Sequence, residues 1–372
     1  MRVLIAPDCF GGTLSAVQAA AAIASGWAQA RPGDELVCVP LSDGGPGFVA
    51  VLHAALGGSL RTVQVADPLG RPVSATWLQT GAVAYLEAAQ ACGLHLLAEA
   101  ERDPRVTSTF GVGELLLAAL SSGVSRIVVG LGGSATNDGG AGLCRALGLR
   151  PVDRWGAPVA DGGAALQTVA ALRGALLPEL SRVQLVIASD VDAPLLGRRG
   201  ASAVFGPQKG AAAQVVCQLD QALARWADVL EAALAVRVRE SAGAGAAGGL
   251  GAALLALGAQ PQSGIALVSQ LVGLAARADG AQLVVTGEGR LDRTSLRGKV
   301  VSGVAALAKA QGQPCLVLAG QVELAPAEAA SLGIDAVYAL VDDVGLATAL
   351  AAPAASLRAL AARVARQWSP DV

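Results

Sequence analysis

Short runs of β-branched and aliphatic residues alternate with Ala- and Leu-rich stretches of helical length along most of this 372-residue chain. That rhythm restricts the fold more than any other feature, because strands that alternate with helices pair as a parallel sheet covered on both faces. Val3–Ala6 reads as a strand, and Ser15 with Gln18 forms the capping box of a helix running to about Ala28. Leu36–Pro40, Ile127–Gly130, Leu185–Ala188, Leu283–Thr286, Cys315–Ala319 and Ala336–Ala339 read as further strands. Ala211–Leu234, Val300–Gln311 and Ala354–Trp368 read as helices. The rhythm breaks at Val63–Ala66, the turn Asp67-Pro68-Leu69-Gly70 and Val73–Leu78, which predict antiparallel strands. A domain boundary is expected near Asp67, and the length fits two domains at ~100–200 residues each.

Composition removes several function classes. Hydrophobic residues make up 53% and charged residues 15%, so apolar surface is ample and disorder is excluded. The balance of 27 Lys and Arg against 29 Asp and Glu, with no basic run, argues against nucleic-acid binding. The uncharged stretch Ser241–Ile265 is mostly Gly and Ala, too weakly apolar for a membrane span. Val3–Ala6 is stopped by Pro7 and Asp8, too early for a signal-peptide core. Six scattered cysteines and two histidines offer no zinc set, so a reduced, cytoplasmic protein is expected.

Glycine numbers 47, and much of it falls where strands end, which in open α/β sheets is where ligands bind. The densest loop follows Ile127–Gly130. In it Gly132, Gly133, Ser134, Thr136, Asn137 and Asp138 combine backbone N–H groups and polar side chains suited to an anion. After Leu185–Ala188 come Asp190 and Asp192, two carboxylates one residue apart. They could hold a cation such as Mg²⁺, or one could accept a hydroxyl proton; Asp192 fits an Asx-type cap equally well. Lys209 sits in Gly-Pro-Gln-Lys-Gly, and Glu288, Arg290 and Asp292, followed by Lys299, exit Leu283–Thr286 with both charge signs. Asp8 and Asp43, the latter followed by Gly44 and Gly45, hold equivalent strand-exit positions. There is no P-loop and no complete nucleophile elbow, and His53 and His95 read as core or boundary residues.

One rival pattern stands out. Gly130-x-Gly132-x-x-Ala135 with Asp153 matches a dinucleotide fingerprint, which taken alone predicts an NAD-dependent dehydrogenase of a small hydroxy acid. The Asp138 carboxylate would repel a pyrophosphate with no intervening metal, and the other three loops would have no role.

With these loops in view, the chain resembles the bacterial type I glycerate kinase family. The matching stretches include IAPD at Ile5–Asp8, SDGG at Ser42–Gly45, FGVGEL at Phe110–Leu115 and GLGGSATNDGGAG at Gly130–Gly142. SDVDAPLLG at Ser189–Gly197, GASAVFGPQKGA at Gly200–Ala211, GAGAAGGLGAALL at Gly243–Leu255 and TGEGRLD at Thr286–Asp292 also fit. The resemblance implies two α/β domains with mostly parallel sheets. Residues 1–66 and 279–372 would form a discontinuous Rossmann-like domain, 67–278 an inserted second one, with the active site in the cleft between them. It also implies ATP, Mg²⁺ and phosphoryl transfer to D-glycerate, with 2-phosphoglycerate favoured over 3-phosphoglycerate. A homodimer or a monomer is expected.

On that basis Asp190, Asp8 and Lys209 are the expected catalytic residues. The loop from Gly132 to Asp138, with Glu288, Arg290 and Lys299, is the expected nucleotide site. Asp43, Gly44, Gly45 and Arg290 are expected on glycerate, and Asp190 with Asp192 on the metal. The chain departs from the family's first loop, usually D-S-F-K-x-S-L, at Cys9 and Gly11, and from its second at Ser42, Pro46 and Phe48. Gly11 and Pro46 motivate a third reading, a non-catalytic sugar-acid-binding relative of a kinase.

Overall fold

The computed structural model describes residues 1–296 and 298–368 and is a mixed α/β protein. Its strands in chain order are β1 (Arg2–Ile5), β2 (Glu35–Cys38), β3 (Ser59–Ala66), β4 (Pro72–Thr80), β5 (Val83–Glu87), β6 (Arg126–Gly130) and β7 (Arg150–Val152). They continue with β8 (Ala171–Arg173), β9 (Gln184–Ala188), β10 (Gln260–Gln262), β11 (Leu283–Leu291), β12 (Cys315–Val322) and β13 (Ala336–Ala339). Two compact units divide the chain. One comprises Met1–Asp43, Ala50–Gly57 and the chain from Ile265 on; the other comprises Gly44–Val49 and Gly58–Gly264.

The first unit carries a five-stranded sheet in the order β13-β12-β11-β1-β2, parallel throughout. Counted within the unit the order is 5-4-3-1-2, the doubly wound arrangement in which the winding direction reverses between β1 and β11. Val3, Ile5, Leu283, Val285, Leu316 and Leu318 are buried in the sheet. Ile23 and Trp27 of helix Ala16–Ala30 cover them together with Leu357, Leu360 and Val364 of helix Pro353–Gln367. The two helices cross so closely that a Cβ on Gly26 would collide with the Arg358 carbonyl oxygen. The expected capping box is present: the Gln18 amide donates to Ser15 Oγ and the Ser15 amide to Gln18 Oε1, at 3.2 and 3.0 Å.

The second unit carries a six-stranded sheet in the order β10-β9-β6-β5-β4-β3. Its strands from β5 to β10 run parallel, whereas β3, β4 and β5 form an antiparallel meander. Strand order here follows chain order with no reversal. Helices Phe110–Leu120 and Ala213–Leu234 contribute Leu115, Leu116, Leu223, Trp226 and Leu230 to its core.

Both expected boundaries shift. Asp67 lies in the turn of a hairpin whose β3 residues Ser59–Ala66 pair with β4 from Gln79 back to Pro72, so β3 belongs with the second unit. The return comes at Ile265 rather than Asp279, because Ile265 packs on helix Val300–Ala310, where a Cβ on Gly303 would sit 2.9 Å from Ile265 Cγ1.

Candidate active site

In the first unit a cavity of about 560 Å³ is lined by residues that follow β1 and by the last part of β11. The Asp8 amide donates to the Gly287 carbonyl at 2.8 Å, and Thr286 Oγ1 donates to the Ala6 carbonyl at 2.8 Å, fastening the two strand exits together. Gly289 lets this happen: a Cβ there would sit 2.9 Å from the Gly11 amide nitrogen. The described charged residues lining the cavity are Asp8, Asp43, Glu288 and Asp292 against Arg290 and Lys299.

The acidic excess is visible in the carboxyl groups. Burial pushes Glu288 up to about 7, with the Ser295 hydroxyl and Lys299 opposing and Asp292 and Asp43 reinforcing the rise. Burial also raises Asp8, helped by the charges of Asp43 and Glu288 and opposed by the Cys9 amide, which donates to Asp8 Oδ1 at 2.7 Å. Burial works the same way on Asp292, but Thr294 and Lys299 outweigh it and hold that carboxyl below its ordinary value. Glu288 Oε1 is buried with no hydrogen-bond partner among the described residues. Such an oxygen is costly unless a donor or cation meets it. Lys299 Nζ reaches Thr294 Oγ1 at 2.5 Å, and Arg290 lies 3.6 Å from Glu323 with both side chains well exposed.

In the second unit the glycine-rich loop after β6 is largely enclosed. Among Gly132–Gly140 only Gly132 and Gly133 reach the surface; Ser134, Thr136, Asn137 and Asp138 are buried. The Asp138 carboxylate accepts from the Thr109 amide and hydroxyl and from the Gly140 and Gly142 amides, at 2.8 to 3.1 Å. Burial raises this carboxyl against the pull of those bonds. It fastens the loop, where it is expected on the nucleotide, to helix Phe110–Leu120 and to helix Ala141–Ala146. Asn137 Nδ2 donates to Ser202 Oγ at 3.0 Å, while its Oδ1 has no partner among the described residues.

Lys209, expected to be catalytic, lies inside the second unit. It is 1% exposed, and its ammonium donates to Ser134 Oγ at 3.0 Å and to the Thr136 carbonyl at 2.6 Å. Burial drives it down to about 8, with Cys92 and Asp138 opposing. It therefore pins the glycine-rich loop from inside instead of projecting as an open cation.

Gly44 and Gly45 sit against this same loop. A Cβ on Gly132 would lie 2.5 Å from Gly45 Cα, and one on Gly133 2.6 Å from Pro46 Cγ, so these contacts need glycine. The unforeseen residue is Glu87 at the end of β5, buried, whose carboxylate accepts from the Gly47 and Val49 amides at 3.0 and 3.3 Å. A lone acid closing the apolar run Val83–Leu86 was the available signal.

Asp190 and Asp192, the expected metal pair, both line one hollow of the second unit. Asp190 Oδ1 accepts from Ser263 Oγ at 2.6 Å beside a hollow of about 300 Å³. Asp192 is well exposed and faces Arg199 at 3.9 Å. Among the described residues no three acidic, thiol or imidazole groups are gathered tightly enough to enclose a metal ion. Mg²⁺ commonly takes one or two carboxylates plus phosphate oxygens and water, and the orphaned Glu288 oxygen beside Asp8 fits that donor chemistry. The expected residues thus fall into separate sets. Asp8, Asp43, Glu288, Arg290 and Lys299 share the first unit's cavity, while the glycine-rich loop with Lys209, and Asp190, belong to the second unit.

A sequence model of the glycerate kinase family matches residues 3–369. The chain belongs to that family. It is 43% identical over 349 residues to the glycerate 2-kinase of Escherichia coli, covering 93% of this chain and 92% of that one. It is 44% identical over 345 residues to a glycerate kinase of Bacillus subtilis, covering 92% and 90%. Its fold matches the crystal structure of a candidate glycerate kinase 2 from Salmonella typhimurium LT2 with a TM-score of 0.79, at 42% identity over 99% of this chain and 98% of that one.

This glycerate kinase family member is therefore an enzyme of the kinase class, and the dinucleotide fingerprint is set aside. Asp153, its expected ribose partner, instead closes a turn by accepting from the Trp155 and Ala157 amides at 2.9 Å. Among the described residues no helix is long and apolar enough to cross a membrane.

Proposed function

We propose that this chain is a cytoplasmic ATP-dependent kinase that transfers the γ-phosphoryl group to a hydroxyl of D-glycerate, the 2-hydroxyl being favoured. The observation that carries this reading is the likeness to the glycerate 2-kinase of Escherichia coli along almost the whole of both chains. Phosphoryl transfer needs positioning and charge neutralisation more than covalent help. Mg²⁺, when bound, supplies neutralisation of the phosphate charge, and Asp8 and Glu288 are the residues that would hold it. Arg290 and Lys299 offset negative charge in the same cavity. Asp190, with one carboxylate oxygen on Ser263, is assigned the proton of the substrate hydroxyl.

An ADP-release assay with D-glycerate, with and without Mg²⁺, tests the reading, and phosphorus NMR of the product separates the 2- from the 3-phosphate. Release that depends on both D-glycerate and Mg²⁺ is the expected result. Thermal stabilisation by ATP and glycerate with no ADP release would instead mark a non-catalytic relative.

A further inference from the structure

The first unit's cavity has two chemically different halves. One holds the carboxylates and cations already described. The other is aliphatic, made by Leu340, Val341, Leu346, Ala349 and Leu350 of helix Leu340–Ala351 and by Pro353 just beyond it. Gly345, at φ 75°, breaks this helix, and the segment after the break carries Leu346 and Leu350 four residues apart on one face. These two are 50% and 57% exposed, whereas Leu340 is buried. Exposed leucines continuous with a cavity mark a place where something apolar docks.

The chemistry of the two halves selects the occupant. D-glycerate bears oxygen on every carbon and offers an aliphatic wall nothing to cover. A purine nucleotide has a flat, weakly polar base at one end and a polyanion at the other. Topology points the same way: the winding reversal between β1 and β11 is where doubly wound sheets bind nucleotides, and the second unit's sheet has no reversal. The unpartnered Glu288 oxygen lies in the charged half, where a phosphate-bound cation would meet it.

We infer that the first unit's cavity is the nucleotide site, with the purine lying on the Leu346–Leu350 face and the phosphates directed to Arg290 and Lys299. This rests on the ATP dependence proposed above. It also assigns the adenine-binding role to a helix in which the sequence displays no motif.

The test is calorimetric binding of ADP, adenosine and inorganic tripolyphosphate to the full chain, together with KM values for ATP and D-glycerate. The variants are Leu346→Ser with Leu350→Ser, both surface changes, and Arg290→Ala. The double variant is expected to weaken ADP and adenosine at least tenfold and to raise the ATP KM likewise. Its tripolyphosphate affinity and glycerate KM should stay within twofold. Arg290→Ala is expected to weaken ADP and tripolyphosphate while sparing adenosine.

Unchanged ADP affinity in the double variant, a shift confined to glycerate, or a wild-type chain that binds no adenine nucleotide would overturn the inference. Normal glycerate turnover with an unaltered ATP KM in the double variant would sink this site and leave the kinase reading standing. Weakened ADP binding in a chain whose wild type never phosphorylates glycerate would do the reverse.

Discussion

Lys209 Nζ donates to the Thr136 carbonyl at 2.6 Å from a position almost closed to solvent, so a buried ammonium helps to hold the glycine-rich loop in shape. Its second bond, to Ser134 Oγ at 3.0 Å, spans the same bend. The arrangement joins residues 73 and 75 positions apart in the chain.

The depressed ammonium gives stability a definite pH dependence. Between about 8 and the ordinary 10.5, the unfolded chain keeps a proton on Lys209 that the folded chain has released. Folding is therefore favoured as pH rises through that window, by at most about 1.4 kcal/mol per unit. Urea unfolding of the wild type minus that of Lys209→Met should show this slope between pH 8 and 10; a flat difference would contradict the assignment.

Glu288 supplies the opposite sign. Its carboxyl near 7 stays protonated in the folded chain where the unfolded chain, near 4.5, has lost the proton. In metal-free buffer the wild type should lose stability relative to Glu288→Gln as pH rises from 4.5 to 7, by ~3 kcal/mol in all. Adding Mg²⁺ at pH 8 should recover stability in the wild type alone, as melting curves will show.

Asp190→Asn tests the carboxylate assigned the substrate proton. Asparagine keeps an oxygen that can accept from the Ser263 hydroxyl, so that bond can persist in the variant. If Asp190 takes the substrate proton, kcat should fall about 10²–10³-fold. Steady-state rates within threefold of wild type would remove it from the reaction.

Gly26→Ala tests the packing of the first unit. In an exposed helix this change usually stabilises, by roughly 0.5–1 kcal/mol. Here the added methyl meets the backbone carbonyl of Arg358, which cannot rotate away, so overpacking wins and costs ~1–3 kcal/mol. The urea midpoint should drop; a rise would mean that the two helices are not in close contact.

Much of the fold was legible because it is written locally. The Ser15–Gln18 capping box and the Asp67–Gly70 turn are satisfied within a few residues of themselves, and both are present in the structure. The boundary at Asp67 failed because β3 starts at Ser59, earlier than its apolar run suggests; its first residues, Ser59 to Thr62, are exposed on an edge strand. Local patterning registers burial, and these residues have little.

The site divides along the same line. Strand-exit positions, glycine density and the kinds of polar residue in each loop are properties of the chain in order, and they named the family and most of the polar groups. Burial of Lys209 and Asp138, the desolvation that raises Asp8 and Glu288 with neighbouring carboxylates adding to it, and the aliphatic face beside them depend on groups far apart in sequence. Desolvation and Coulomb energy are set by three-dimensional distance. The order of residues could nominate these side chains, but the fold alone decided which became internal fasteners and which remained open to a ligand.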